Sequence, residues 1–408
     1  MSVTAADAAS CALHDAGTCR SCPHLSLPMP DQLAAKQSRV ASLLAEHVPA
    51  ELWQAPAASA PTGFRNKAKM AVAGTTAHPT LGILDGAGGG VDLRACPLHV
   101  PAIEAALPVL ADLVTELGLR PYDVPARRGE LKYVLVTASP DDDLMVRFVL
   151  RSRRYLERLR AVVPDLRRRL PQLAVAAVNI QSVHQAVIEG PEEIVLTEED
   201  RLLMRLSLPS PGLGSRAGRR TESIELPLYL PTRSFFQTNT AVAEALYATA
   251  RDWAQEAEPA RVWDLFCGVG GFALALAAPG RQVLGVEVSA PAIEGARAAA
   301  DIMRLGPALV RFEAGDARVL DPAAGERAGG VQRPDLLVVN PPRRGIGEQL
   351  ATRIEASGVG RVLYSSCNPR TLATDLAHLP SMRVVRSRLF DMFPHTEHAE
   401  VLVELVRD

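Results

Sequence analysis

The chain has 408 residues, which at about 150 residues per domain predicts two or three domains. Lys and Arg (44) nearly cancel Asp and Glu (46), a net charge of −2 that excludes a wholly basic nucleic-acid binder but not a local basic face. A composition 48% hydrophobic and 22% charged excludes a disordered chain, and no run reaches the roughly 18 apolar residues of a membrane helix. The first ten residues carry neither a basic stretch nor an apolar run, so no secretory leader is expected and the expected location is the cytoplasm.

The first hundred residues are rich in Pro, Ala and Gly, and one clear helix is expected there. It is capped by Asp31, runs to about His47, and sets Leu33, Val40, Leu43 and Leu44 on one side. Strands are predicted at 64–72, 132–138 and 144–150, then a cationic helix over 151–170 interrupted near Pro164, then strands at 174–180 and 185–188. Residues 209–221 (PSPGLGSRAGRRT) read as a loop or linker. Beyond it the pattern changes to strands at 261–266, 282–287, 309–313, 335–340 and 361–365 with helices between them, the signature of βαβ units and a parallel sheet. Two further strands fit at 383–389 and 401–406.

Residues 262–273 read VWDLFCGVGGFA: a strand, then Gly268, Gly270 and Gly271, then a helix. Glycines allow a tight turn and close approach of a ligand to backbone amides at a helix start. Glu287 ends the next strand, where its carboxylate is able to accept both ribose hydroxyls, and Asp316 follows a third strand within reach of an adenine edge. This much also fits a dinucleotide site. The fourth strand is more telling: DLLVVNPPRRG puts the Asn340 amide and a proline-stiffened turn at the sheet's carboxyl edge, a grip for a planar base.

Cys367, in VLYSSCNP, leaves a strand at that same edge among Ser365, Ser366 and Asn368, a polar and accessible setting for a nucleophile. Cys267 reads as an ordinary buried thiol. In FDMFPHTEHAE, His395 and His398 lack a third close ligand for zinc. Glu400, which leads directly into an apolar strand, is the better candidate for acid–base work. Near the amino terminus, Cys11, Cys19 and Cys22 form a close trio, and Cys96 precedes a proline. Four thiolates suit either a [4Fe–4S] cluster or structural zinc, and spacing does not separate the two.

SFFQTN at 234–239, DLFCGVGGF, NPPRRGIG, YSSCN and DMFPHTEHAE stand in one order, and together they resemble the S-adenosylmethionine-dependent RNA uracil-C5 methyltransferases. The resemblance runs from about Cys11 to the C-terminus and is strongest to the branch acting on 23S ribosomal RNA. It implies a Rossmann-like catalytic sheet over 226–408, a central α/β domain over 101–225 that touches RNA, and an iron–sulfur segment over 1–100 whose helix packs on the catalytic domain. It further implies Cys367 as nucleophile, Glu400 as base for the C5 proton, and Gln237, Phe266, Glu287 and Asn340 as cofactor-binding positions, with Gln237 and Asn340 also near the uracil. The same resemblance implies a [4Fe–4S] cluster on Cys11, Cys19, Cys22 and Cys96. Many relatives carry Asp where this chain has Asn340.

The chemistry accords with these residues: a thiolate adding at uracil C6 makes C5 nucleophilic toward a methyl sulfonium, and a carboxylate then removes the C5 proton. Larger relatives begin with an RNA-binding β-barrel for which there is no room before Cys11. RNA contact is therefore expected from FRNKAK (64–69), RRGELK (127–132) or the eight arginines of 151–169, with FRNKAK the strongest candidate. Other readings are a uridine of another RNA such as tRNA, a cytosine or protein target, or a non-catalytic RNA-binding iron–sulfur protein. No membrane or protein partner is implied.

Overall fold

The computed structural model describes residues 9–185, 187–209, 223–319 and 333–408. After a single turn, α1 (Ala12–Asp15), and a longer helix, α2 (Met29–Leu43), the chain enters a sheet through β1 (Lys67–Gly74), β2 (Pro79–Leu84) and β3 (Gly90–Asp92). Helix α3 (Pro101–Glu116) precedes β4 (Leu131–Ala138) and β5 (Leu144–Leu150). Helix α4 (Leu156–Arg169) leads to β6 (Leu173–Ile180), and β7 (Glu192–Val195) follows. The strands lie in the order β3-β2-β1-β4-β5-β6-β7, and every neighbouring pair is antiparallel except β5 and β6. That parallel pair needs a crossover, which α4 supplies. The apolar sides of α3 and α4 share one core with β1, β4, β5 and β6. The sheet therefore takes strands from both sides of residue 100.

The C-terminal half opens with a hairpin of β8 (Arg201–Pro209) and β9 (Ser223–Pro231) and helix α5 (Thr240–Ala257). It then alternates: β10 (Arg261–Leu265), α6 (Gly271–Ala275), β11 (Gln282–Glu287), α7 (Ala290–Ile302), β12 (Val310–Ala314), β13 (Leu336–Val339), α8 (Gly347–Ser357), β14 (Arg361–Ser366) and α9 (Pro369–Ala377). Strands β15 (Met382–Phe390) and β16 (Glu400–Arg407) complete a sheet of order β12-β11-β10-β13-β14-β16-β15. Strands β10 to β14 are mutually parallel and β16 runs against both of its neighbours. Strand order reverses between β10 and β13, and an open α/β sheet offers its ligand crevice at such a switch point.

Several expected elements differ. Strand β1 starts at Lys67 because residues 65 and 66 pair elsewhere, Arg65 N–H with Leu98 O and Asn66 N–H with Thr238 O. No strand forms at 185 or 187–188 (Ala186 lies outside the described residues). There the side chains of Asn179 and Gln181 take the backbone groups of Val187, Glu189 and Gly190 that a ladder would have used. Helix α4 is not interrupted at Pro164: Leu156, Leu159, Val163 and Leu166 are buried on one side, while exposed Pro164 loses its hydrogen bond on the wet side. Strands β2, β3, β7, β8 and β9 were not expected, although β8 buries Leu202, Met204, Leu206 and Leu208 in strict alternation. The loop expected at 209–221 lies outside the described residues apart from Pro209.

Helix α2 starts two residues before Asp31 and packs on the catalytic sheet: Val40 and Leu44 join the core formed by Leu265, Leu337, Tyr364 and Val401. One turn and two turns earlier, the same stripe carries Lys36 and Gln32, both buried. Lys36 Nζ donates to Asp391 Oδ1 at 2.5 Å and to Phe393 O at 3.0 Å. Removing one partner of a buried pair leaves the other charge uncompensated. Asp391→Ala is therefore expected to destabilise the fold by about 3–5 kcal/mol, measured by urea unfolding, and Lys36→Met/Asp391→Leu to recover most of that loss.

Candidate active site

The turn after β10 is built for close approach. Phe266, Gly268 and Gly270 all adopt the left-handed conformation, with φ of 65°, 54° and 86°. For Gly270 the requirement is steric as well, since a Cβ there would lie 2.9 Å from the Phe312 ring. Beside the turn, Glu287 ends β11 with both carboxylate oxygens fixed: Oε2 accepts the Gly268 N–H at 3.3 Å and Oε1 accepts the Ser289 N–H at 3.0 Å. Beneath it, Asp264 is fully buried, accepts the Ala273 N–H at 2.9 Å, and is pushed up to about 8 chiefly by burial.

Gln237, Phe266, Glu287, Asn340, Cys367 and Glu400 all line one cavity of about 570 Å³. Asp316, Phe235, Tyr247 and Arg343 line it too. Asn340 follows β13 and Cys367 follows β14, so parallel strands deliver both to the same edge. Glu400 arrives from the opposite direction as the first residue of β16. Ser366 pairs with Val401, which sets Cys367 and Glu400 side by side at the next register position. Glu400 is buried, accepts the Ser365 hydroxyl proton, and is raised to about 7 by burial.

The Cys367 thiol is raised by burial and by the nearby Glu400, while the charge and hydrogen bonding of Arg343 pull it down. Arg343 lies in the quoted NPPRRG string but was assigned no role there; two arginines in sequence give no sign of which one faces the thiol. Its carbonyl is tied to the turn after Cys367, accepting from Asn368 Nδ2 at 3.0 Å and Thr371 Oγ1 at 3.2 Å. The following loop is pinned by Asp375, which accepts the N–H groups of Ile346 and Gly347 and the Tyr364 hydroxyl. Phe235 is a second residue without an expected role, and at 70% exposure it presents an aromatic face at the cavity mouth.

His395 is fully buried between Gln32 and the Pro61 carbonyl, a structural setting. The FRNKAK segment is not a free basic surface. Phe64, Asn66 and Ala68 are buried, and Arg65 turns toward Cys22 and Cys96. Arg153 and Arg154 in the turn before α4 and Arg158, Arg160 and Arg168 on it are exposed, though Arg153, Arg160 and Arg168 pair with Glu192, Glu157 and Asp165.

The four N-terminal cysteines are free thiols, and Cys11, Cys19, Cys22 and Cys96 line a second cavity of about 140 Å³. Among the described residues no group of three or more His, Cys, Asp or Glu side chains is arranged to hold a metal ion. Burial and the other three cysteines push the Cys22 thiol up to about 11.

Fold and cavity together define a Rossmann-like methyltransferase with a thiol and a carboxyl at the mouth of its cofactor crevice. The family profile described as tRNA (Uracil-5-)-methyltransferase matches residues 225–408. Among curated relatives, the 23S rRNA (uracil(747)-C(5))-methyltransferase RlmC of Halothiobacillus neapolitanus is 48% identical over 401 residues, covering 97% of this chain and 99% of its own. RlmC of Escherichia coli O139:H28 is 45% identical over 398 residues, covering 97% and 99%. The solved structure of Pyrococcus abyssi tRNA (uracil-54, C5)-methyltransferase with S-adenosyl-L-homocysteine has the same fold, with a TM-score of 0.74 at 24% identity over 94% of this chain and 85% of that one. The chain belongs to the RlmC family of RNA uracil-C5 methyltransferases.

Removing the Arg343 cation removes the one influence that favours the thiolate by charge. Arg343→Ala is expected to move the midpoint of Cys367 alkylation to higher pH, followed with iodoacetamide across a pH series in a Cys11/Cys19/Cys22/Cys96-protected protein.

Proposed function

We propose that the chain transfers a methyl group from S-adenosylmethionine to C5 of a uridine in 23S ribosomal RNA, the counterpart of uracil 747 in its RlmC relatives. The observation that carries this reading is Cys367 beside Glu400 in the cavity that Glu287, Phe266, Asn340 and Gln237 also line. The cofactor suits the cavity: Glu287 offers a fixed carboxylate to ribose hydroxyls, Asp316 an acceptor to an adenine amine, and nothing lies within 4 Å of a Cβ placed on Gly268. S-adenosylmethionine supplies the electrophilic methyl group.

Gln237 and Asn340 present side-chain amides to the uracil edge, and Phe235 a stacking face for a base leaving its loop. Cys367, as the thiolate that Arg343 favours, bonds to C6 and turns C5 into an enolate carbon. C5 takes the methyl group as its electron pair forms the new C–C bond and the sulfonium S–CH3 bond breaks, its pair returning to sulfur to leave S-adenosylhomocysteine. Glu400 then removes the C5 proton, the C6–S bond breaks, and Cys367 leaves as thiolate. A carboxyl raised to about 7 suits this step, being basic enough to take a carbon-bound proton and still ionised in good part at neutral pH.

Cys11, Cys19, Cys22 and Cys96 would hold a [4Fe–4S] cluster. Four thiols around one cavity repel one another as anions, with only Arg65 opposing, and the iron of a cluster would relieve that repulsion. Methyl transfer moves no electron, so the cluster's part is to cross-link the N-terminal segment. The chain then has a cluster segment to about residue 100, whose β1–β3 extend the sheet of an RNA-contacting unit that runs to about 225, and the methyltransferase unit beyond it. Action on ribosomal RNA fits the cytoplasm, and no helix among the described residues is long and apolar enough to cross a membrane.

Mass mapping of ribosomal RNA from cells lacking the protein is expected to show one 23S uridine without its methyl group, and an unaltered 23S map would overturn the assignment. In purified enzyme, Cys367→Ala is expected to abolish transfer while still binding S-adenosylmethionine in calorimetry. Glu400→Gln is expected to lose about 10²–10⁴-fold in turnover and to accumulate a covalent protein–RNA species on denaturing gels. For the parent enzyme, the rate should fall as pH drops through about 7, where Glu400 takes up its proton, and that limb should be missing from the residual activity of the variant.

A further inference from the structure

The cysteine-lined cavity and the active site are joined by two short hydrogen-bonded routes, each passing through buried residues. On the first, residues 63–65 run beside the chain that follows Cys96: Gly63 N–H donates to Pro97 O at 2.9 Å, Arg65 N–H to Leu98 O at 2.8 Å, and Val100 N–H to Arg65 O at 3.1 Å. Arg65 lines the cysteine cavity, and the next residue, Asn66, faces the other way. Its Nδ2 donates to Gln237 O at 3.1 Å and Thr240 Oγ1 at 3.0 Å, and its N–H to Thr238 O at 2.9 Å. Two consecutive residues therefore touch both sites.

The second route leaves from Cys22. Two residues on, His24 N–H donates to His395 O at 3.1 Å. Gln32 holds the same residue, accepting the His395 N–H at 2.9 Å with its Oε1, while its Nε2 lies 3.2 Å from His395 Nδ1. Nε2 also donates to Leu27 O at 2.7 Å, which fastens α2 to the loop after the cysteine trio. His395 has a left-handed φ of 62°, a conformation its neighbours must impose. It stands between Phe393, which lines the active-site cavity, and Glu400. Gln32 is 5% exposed, Asn66 2% and His395 0%, so water does not compete for these bonds.

We propose that Asn66 and Gln32 are positioning residues that tie the two walls of the active site, Gln237 and the 391–400 segment, to the cysteine-lined cavity, so that loading the cavity orders both walls. This rests on the proposed cluster and methyl-transfer readings. Neither residue lines the active-site cavity, so each acts through another residue, and a displacement of about 1 Å is enough to cost catalysis about 10²-fold.

Backbone hydrogen exchange on the full-length protein tests the proposal without an activity readout. The comparison is between protein reconstituted with ferrous iron and sulfide and the same protein stripped with an iron chelator. Stripping is expected to speed exchange at least about tenfold in residues 237–240 and 391–398 while leaving β10 and β11 unchanged. In iron-loaded protein, Asn66→Ala is expected to speed exchange in 237–240 only, and Gln32→Ala in 391–398 only. In turnover, Gln32→Ala should lower kcat with KM for S-adenosylmethionine unchanged, and Gln32→Glu, which keeps the acceptor for the His395 N–H, should recover part of the loss. Equal exchange in both segments between stripped protein and protein shown to have taken up iron overturns the proposal. So does a uniform change that includes β10 and β11, which would be general unfolding. Iron analysis of the same samples separates the two readings: if the protein takes up no iron yet Cys22→Ser/Cys96→Ser loosens both segments, the cluster fails and the tie stands.

Discussion

The arrangement of the active site depends on one reversed strand. Parallel strands β10, β13 and β14 release the chain at a single edge, which accounts for Phe266, Asn340 and Cys367 in one crevice. A further parallel strand would have begun at the far edge and put its first residue a full strand length away. Because β16 runs antiparallel between β14 and β15, its first residue, Glu400, starts where β14 ends. Thiol and carboxyl thus come from elements more than thirty residues apart in sequence and are held by the sheet ladder, the least deformable frame the chain has.

That proximity carries an electrostatic cost. Cys367 and Glu400 share a cavity above buried Asp264, and burial raises all three toward their neutral forms. Arg343 is the cation that acts on the thiol. A cation entering the cavity stabilises the ionised forms of the thiol and the carboxyl at once.

The residues legible in the sequence are those whose meaning is local. The glycine turn, the Asn-Pro-Pro strand end and the cysteine among serines each announce themselves within ten residues, and the structure brings Gln237, Phe266, Glu287, Asn340, Cys367 and Glu400 to one cavity. Parallel strands were legible for the same reason: continuous apolar runs between helices specify β10, β11 and β14 nearly to the residue. What was not legible depends on partners far along the chain. Gln32 and Lys36 occupy the core stripe of α2 with Val40 and Leu44, yet their polarity hid them from any apolar count. Their partners, His395 and Asp391, lie more than 350 residues away. The FRNKAK string joins two settings that its charge does not separate, since Arg65 and Asn66 face inward while Lys69 is exposed.

These two kinds of residue also divide the work. The motif residues line the cavity, and several of them have perturbed ionisation. The inward-facing polar residues carry no chemistry, yet each satisfies backbone groups that no ladder reaches: Asn66 at the turn before α5, Gln32 at the left-handed His395, Asp375 at the loop after Arg344. A buried amide or carboxyl left without a partner costs about 1–3 kcal/mol, so each such residue selects the loop conformation that satisfies it. The loops of the site bury apolar residues of their own, Phe236, Ile346 and Met392, but these polar backbone groups are satisfied only by side chains from elsewhere in the chain. Their shape is therefore set from outside, by side chains of the N-terminal segment and of α9, and the precision of the site is a property of the whole chain rather than of its last 180 or so residues.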